Sequence, residues 1–393
     1  MVKWFSQSPP LFFENARLVD PLRGETRGTL RIARGRLDGI NVAPQRGDAR
    51  FDLDGAIVLP AFLNAHDHLE LNNFPRWKNR PCYANAREWA MEGNAQLDSD
   101  AEIVTARNVP LADRLFIGGL KNLLCGAATV AHHNPFHTPL RKNFPVRVVK
   151  RYSWSHSLYL SPDFAKSYRR TPRDAPYMIH LAEGTDADAH GELAQLADAG
   201  AFHDNTVLIH GVGLTEPQRA RAIEKRAALV WCPSSNFFLL NATANVRAFS
   251  DARLLAVGSD SRLTGERDLL DELRVARETN QISAEALLRA VTSDAAKILR
   301  VKDVGQIQRG MRADLVILPK EVDSAADALG QIRRADLRAV IENGEIRVSD
   351  SDFAPLMHNA ARANLDGREK FVARDLAERY ARNSIQEAGF ELV

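Results

Sequence analysis

Between about residues 59 and 260 the chain alternates short apolar runs with helical patterns, and this alternation constrains the fold more than any other feature. Runs of strand length separated by helices are the mark of a parallel α/β core, since parallel strands need a crossover between them. The runs end at Leu59–His68, Gly126–His133, Val146–Val149, Tyr177–Leu181, Thr206–His210, Ala228–Cys232 and Leu254–Asp260. That makes seven; an eighth, distorted strand is expected near Trp154 to Leu160. The spacing predicts a helix over Leu111–Leu124, a helix ending at Gly200, and another opened by a Thr215/Gln218 capping box with Pro217 in its first turn. Leu71 to Asp100 reads as a long irregular excursion.

The expected architecture is α/β: a (β/α)8 TIM barrel over 59–303, with a small β-sandwich domain assembled from residues 1–58 and 304–349. Thr29–Ile40 alternates around an Arg34-Gly35 turn and cannot bury much alone. Ala313–Leu318 and the hairpin Ala339–Val348, turning at Asn343-Gly344, supply its partner. Residues 350–393, rich in charge and in Ala, Arg and Glu, read as a C-terminal helical extension.

Composition excludes several classes. Charged residues make up 26% of the 393, hydrophobic ones 45%, and the formal net charge is +2, so neither nucleic acid nor a membrane surface is indicated as a partner. No apolar run approaches a membrane span, and Met1–Pro10 has no apolar core of a signal peptide. Three scattered cysteines suit a reducing cytoplasm.

The strand ends carry the chemistry. His66 and His68 stand two apart and so project to one face of a strand. His180, His210 and Asp260 also end apolar runs. In a parallel barrel those ends share one rim, so residues distant in sequence can meet. Three nitrogen or oxygen ligands with an open position make a catalytic zinc site. Any one of these histidines alone would be read as a core or surface residue; four of them with Asp260 in matching positions are not so dismissed. Glu183 follows His180 by three and stands where a carboxylate can relay a proton; an ordinary acid in the first turn of the next helix would occupy the same place.

The set Leu-Pro-Ala-Phe-Leu-Asn-Ala-His-Asp-His (59–68), Gly-Ala-Ala-Thr-Val (126–130), His-Leu-Ala-Glu (180–183), His-Gly-Val-Gly-Leu (210–214), Cys-Pro-Ser-Ser-Asn (232–236), Gly-Ser-Asp-Ser (258–261) and 305–318 resembles the amidohydrolase superfamily, in particular its guanine deaminase, cytosine deaminase and triazine hydrolase branch. The resemblance implies that His66, His68, His180 and Asp260 hold one divalent metal, zinc with iron as the alternative. It implies that His210 meets the attacking water or developing oxyanion, that Glu183 shuttles a proton and that Asp260 also acts as a base. It further implies a small-molecule substrate and a homodimer. The expected reaction is hydrolysis of a C–N bond other than a peptide bond, with deamination of a heterocyclic amine leading. Hydrolysis of a cyclic amide is the alternative reaction, and a non-catalytic structural member of the superfamily is the alternative class. Lys150, at a strand end, is expected to reach solvent rather than to be carboxylated between two metals. Trp89, Trp154, His133, Asn236 and Arg262 are the candidates for substrate contact.

Overall fold

A computed structural model describes residues 9–96 and 98–393. Eight strands form its parallel core: β1 (Phe62–Asp67), β2 (Ala127–His132), β3 (Arg147–Val148), β4 (Ser153–Ser155), β5 (Tyr177–Leu181), β6 (Thr206–His210), β7 (Ala228–Trp231) and β8 (Leu255–Val257). They pair as two parallel sheets, β1-β2-β3 and β4-β5-β6-β7-β8. The expected eighth strand is β4. It is three residues long and pairs with the start of β5. β8 and β1 meet through Asp260 N–H donating to the His66 carbonyl at 3.0 Å. Gly258 permits this approach: a Cβ there would lie 2.6 Å from the Cβ of His66.

The helix Leu111–Leu124 spans the expected residues and buries Leu115 through Leu124. Thr215 and Gln218 form the reciprocal cap, with Thr215 N–H donating to Gln218 Oε1 at 2.9 Å. Gly200, left-handed at φ 72°, follows the helix Ala187–Asp198. One expectation fails in the Leu71–Asp100 stretch, where Ala86–Gln96 is helical. That helix buries no residue deeply, so it lacks the apolar stripe by which a helix is recognised.

The two chain ends share one eleven-stranded sheet with its own apolar cluster around Phe13, Leu30, Leu315, Ile341 and Phe353. The apolar run entering β1 is divided between the two units. Ile57–Pro60 pairs antiparallel with Leu315–Leu318 in the end sheet, and after Ala61 the chain passes into β1. The hairpin at Asn343-Gly344 has both residues at positive φ, 55° and 78°, as a type I′ turn requires. The reading of 350–393 as a helical extension is corrected. Only Arg374–Ala381 is α-helical, while Ala360–Leu365, Arg368–Ala373 and Phe390–Leu392 lengthen the end sheet. The cause is Asp366-Gly367, a second two-residue turn with φ of 48° and 87°, which folds the flanking residues into a hairpin despite their helix-prone composition. Met1–Ser8, part of the expected first domain segment and most of the N-terminal stretch read for a signal peptide, lie outside the described residues. Among the described residues no helix is long and apolar enough to cross a membrane.

Candidate metal centre

Three strand ends leave regular geometry abruptly. Ala182 after β5, His210 at the end of β6 and Asp260 after β8 all take left-handed backbone conformations, with φ of 53°, 72° and 52°. Such conformations cost energy in non-glycine residues and cluster where a side chain must be aimed. Here they turn Glu183, His210 and Asp260 toward the face that β1 presents with His66 and His68.

The expected ligands converge. One donor atom each from His66, His68 and His180 lies within 4.8 Å of the others, and the same holds for His66, His210 and Asp260. His66 Nε2 and His180 Nε2 are 3.1 Å apart, and both His66 Nε2 and His68 Nε2 lie 3.7 Å from Asp260 Oδ1. Two ligands of one tetrahedral zinc with bonds of about 2.0–2.1 Å stand about 3.3 Å apart, so this spacing fits a small cation. The tautomers fit as well. His180 Nδ1 is 2.6 Å from the His156 carbonyl, which can only accept. Nδ1 therefore carries the proton, and the Nε2 lone pair faces His66. All four residues are buried, and burial, then the neighbouring histidines, hold His66 and His180 well below the ordinary imidazole pKa. Neutral imidazoles and a carboxylate are the donors a divalent metal requires. Lys150 is exposed, so a lysine bridge between two metals finds no support.

The two acids are pushed apart. Burial raises Glu183 well above the usual carboxylate range, with the charges of Asp260 and Glu192 adding to it. Asp260 is also buried, which opposes ionisation. His68, His210 and hydrogen bonds from Ser235 Oγ and Thr264 Oγ1, both 2.8 Å to Oδ2, nevertheless hold it below its ordinary value. Divergent environments of this kind separate a proton donor from a base. Glu183 Oε1 lies 3.4 Å from His210 Nε2.

A cavity of about 350 Å3 opens beside His180 and Glu183 and is lined by Trp89, His156, Tyr159, Leu160 and Glu192 among others. Of the five expected substrate contacts, Trp89 lines this cavity. His133 is fully buried, with its ring centroid 4.5 Å from that of His180, and Trp154 packs on it at 5.2 Å. Asn236 is bonded to His210 instead, Nδ2 to Nδ1 at 2.8 Å. Arg262, expected to contact substrate, instead has its guanidinium held by both carboxylate oxygens of Glu387, at 2.7 and 2.9 Å, so its charge is satisfied within the chain.

A buried polar lattice behind the ligands escaped sequence reading. Asp67, between the two β1 histidines, accepts from Asn72 at 2.9 Å, from Asn122 at 2.7 Å and from Lys121 at 3.0 Å. Asn64 donates to Ser259 Oγ at 2.7 Å and accepts from Ser259 N–H at 3.0 Å, tying β1 to the segment that carries Asp260. Lys121 and Asp67 are both wholly buried. Removing one partner strands the other's charge, so Lys121→Ala is expected to cost about 3–5 kcal/mol of stability in urea denaturation. A loss below about 1 kcal/mol would refute that assignment.

The fold and these donors define a candidate divalent-metal site at the strand ends. Residues 171–347 match the amidohydrolase family model. The 5-methylthioadenosine/S-adenosylhomocysteine deaminase of Halobacterium salinarum is 25% identical, over 83% of this chain and 89% of its own. Among solved structures, a zinc-bound adenosine deaminase from Xanthomonas campestris aligns with TM-score 0.71 at 19% identity, over 88% of this chain and 95% of its own. A zinc complex of atrazine chlorohydrolase from Arthrobacter aurescens aligns with TM-score 0.71 at 17% identity, over 87% and 96%. Residues 171–347 are thus similar to the amidohydrolase family, and the chain shares its fold with these two zinc-bound structures.

Proposed function

We propose that the protein is an aminohydrolase that holds one zinc ion on His66, His68, His180 and Asp260 and releases ammonia from an aminated heterocycle. The observation that carries this reading is the convergence of two donor sets that share His66, one with His68 and His180 and one with His210 and Asp260, with Glu183 Oε1 3.4 Å from His210 Nε2. The relatives' names, a deaminase of adenosine derivatives and a zinc-bound adenosine deaminase, favour an amino-substituted ring over a cyclic amide. Zinc in this set supplies Lewis acidity and makes water a nucleophile at neutral pH, lowering its pKa from 15.7 to about 7.

The chain's residues do the rest. Asp260, kept ionised, receives the proton of the attacking water. His210 Nε2 faces the oxygen on which charge develops and stabilises it by hydrogen bonding. Glu183, kept protonated, delivers its proton to the departing amine nitrogen. Trp89, Tyr159 and Leu160 in the cavity wall offer apolar surface to a flat ring. The reading includes closure of the two parallel sheets into one eight-stranded barrel, supported by the β8–β1 contact, with the end sheet folded as a β-sandwich over its separate apolar cluster.

The test is ammonia release across amino-purines, amino-pyrimidines and amino-triazines, before and after chelation. Turnover of at least one class is expected, lost on chelation and restored by zinc. Ring opening of cyclic amides without ammonia release from any aminated ring would overturn deamination. Turnover that survives complete metal removal would overturn the metal assignment.

A further inference from the structure

His210 has two ring nitrogens with different neighbours, and its use depends on which one carries the proton. Nε2 faces Glu183 at 3.4 Å and Nδ1 faces Asn236 Nδ2 at 2.8 Å. A side-chain amide can be placed either way round, so Asn236 alone does not decide the matter. The arrangement is read from the partners beyond it. The Trp231 indole N–H can only donate, and it meets Thr243 Oγ1 at 2.7 Å. That hydroxyl keeps its own proton and a second lone pair, and it donates the proton to Asn236 Oδ1 at 3.3 Å. The amide oxygen of Asn236 is thereby turned to Thr243 and its N–H to His210. Nδ1 accepts, and Nε2 bears the hydrogen.

One short segment builds the relay. Trp231 ends β7, Asn236 sits in the helix Pro233–Leu240, and Asn241, left-handed at φ 50°, ends that helix so that Thr243 returns over the indole. Trp231 and Asn236 are fully buried and His210 is 1% exposed, so water does not compete for the Asn236–His210 bond, while Thr243 is half-buried.

We infer that Asn236, oriented by Thr243 and Trp231, is a positioning residue that fixes His210 as an Nε2–H donor toward the reacting oxygen. A nitrogen that carries a proton has no lone pair for a metal. The relay therefore separates His210 from the ligand set, although its ring lies as close to His66 and Asp260 as a ligand would. The inference rests on the reading of His210 as the residue that meets the developing oxyanion, and its test reads the proton directly as well as turnover.

The experiment is nitrogen-15 NMR of the zinc-loaded enzyme labelled at histidine, with the His210 resonances identified by their loss in His210→Gln. The wild-type enzyme is expected to show a protonated Nε2 and an unprotonated Nδ1. Asn236→Asp replaces a donor with an acceptor and is expected to place a proton on Nδ1. In Thr243→Val, which frees the amide to turn, kcat is expected to fall about 10²-fold with KM and zinc content unchanged, the scale of losing one oxyanion donor. Thr243→Ser, which keeps the hydroxyl, is expected to hold the wild-type tautomer and rate. A wild-type Nδ1–H tautomer, or an Nδ1 still unprotonated in Asn236→Asp, would overturn the relay whatever the substrate proves to be. The expected tautomer in the wild type and in each variant, with no assayable turnover, would sustain the relay and count against the aminohydrolase reading alone.

Discussion

Asp260→Asn is expected to lower kcat by about 10³-fold or more while leaving a folded protein, the scale of losing a general base together with a metal-facing charge. Asp260 Oδ2 accepts from two hydroxyls, Ser235 Oγ and Thr264 Oγ1, and Oδ1 accepts from Ser261 N–H at 2.8 Å while facing His66 and His68. An asparagine can present its amide N–H to the hydroxyls, which rotate to accept it, so the packing survives. What is lost is the negative charge beside four buried imidazoles and the base that takes the proton from water. The check is kcat beside a thermal unfolding midpoint. Unfolding within a few degrees of wild type with turnover gone is the expected pair, and near-normal turnover would refute the role of Asp260.

Glu183→Gln is expected to lower kcat by about 10²- to 10⁴-fold, the usual worth of a positioned proton donor, with metal content and stability close to wild type. The substitution is isosteric, and it replaces a half-buried acid whose pKa the surroundings raise. The amide can still donate to the leaving group but cannot release a proton to it. The loss should therefore fall on kcat rather than KM. Steady-state kinetics decide this: a rise in KM at unchanged kcat would recast Glu183 as a binding residue.

The sequence disclosed those residues whose position has a simple rule behind it. His66, His68, His180, His210 and Asp260 each close an apolar run, and in the two parallel sheets these ends come close together. The helix Leu111–Leu124 and the capping box at Thr215 follow from periodicity and cap chemistry in the same way. Harder to see were residues whose meaning depends on partners distant in sequence. Lys121 interrupts an apolar helix and reads as a solvated charge until Asp67 is placed against it. Asn236 reads as a substrate contact until Trp231 and Thr243 orient it toward His210. Arg262 reads as a free cation until the last residues of the chain bring Glu387 to it. In the C-terminal section the Asp366-Gly367 turn was itself a strand signal. The helical reading rested on Ala, Arg and Glu content, which favours helix only where no turn forces pairing.

The proposed site holds a single metal on His66 in β1, His68 just past its end, His180 and Asp260. Elemental analysis of the purified protein, per chain and without chelator, tests it most directly. The account predicts one equivalent of divalent metal in the wild-type protein, the same in His210→Gln, and a large loss in His66→Ala and His180→Ala. Two equivalents in the wild type, none after reconstitution with zinc, or loss of the metal in His210→Gln would contradict it.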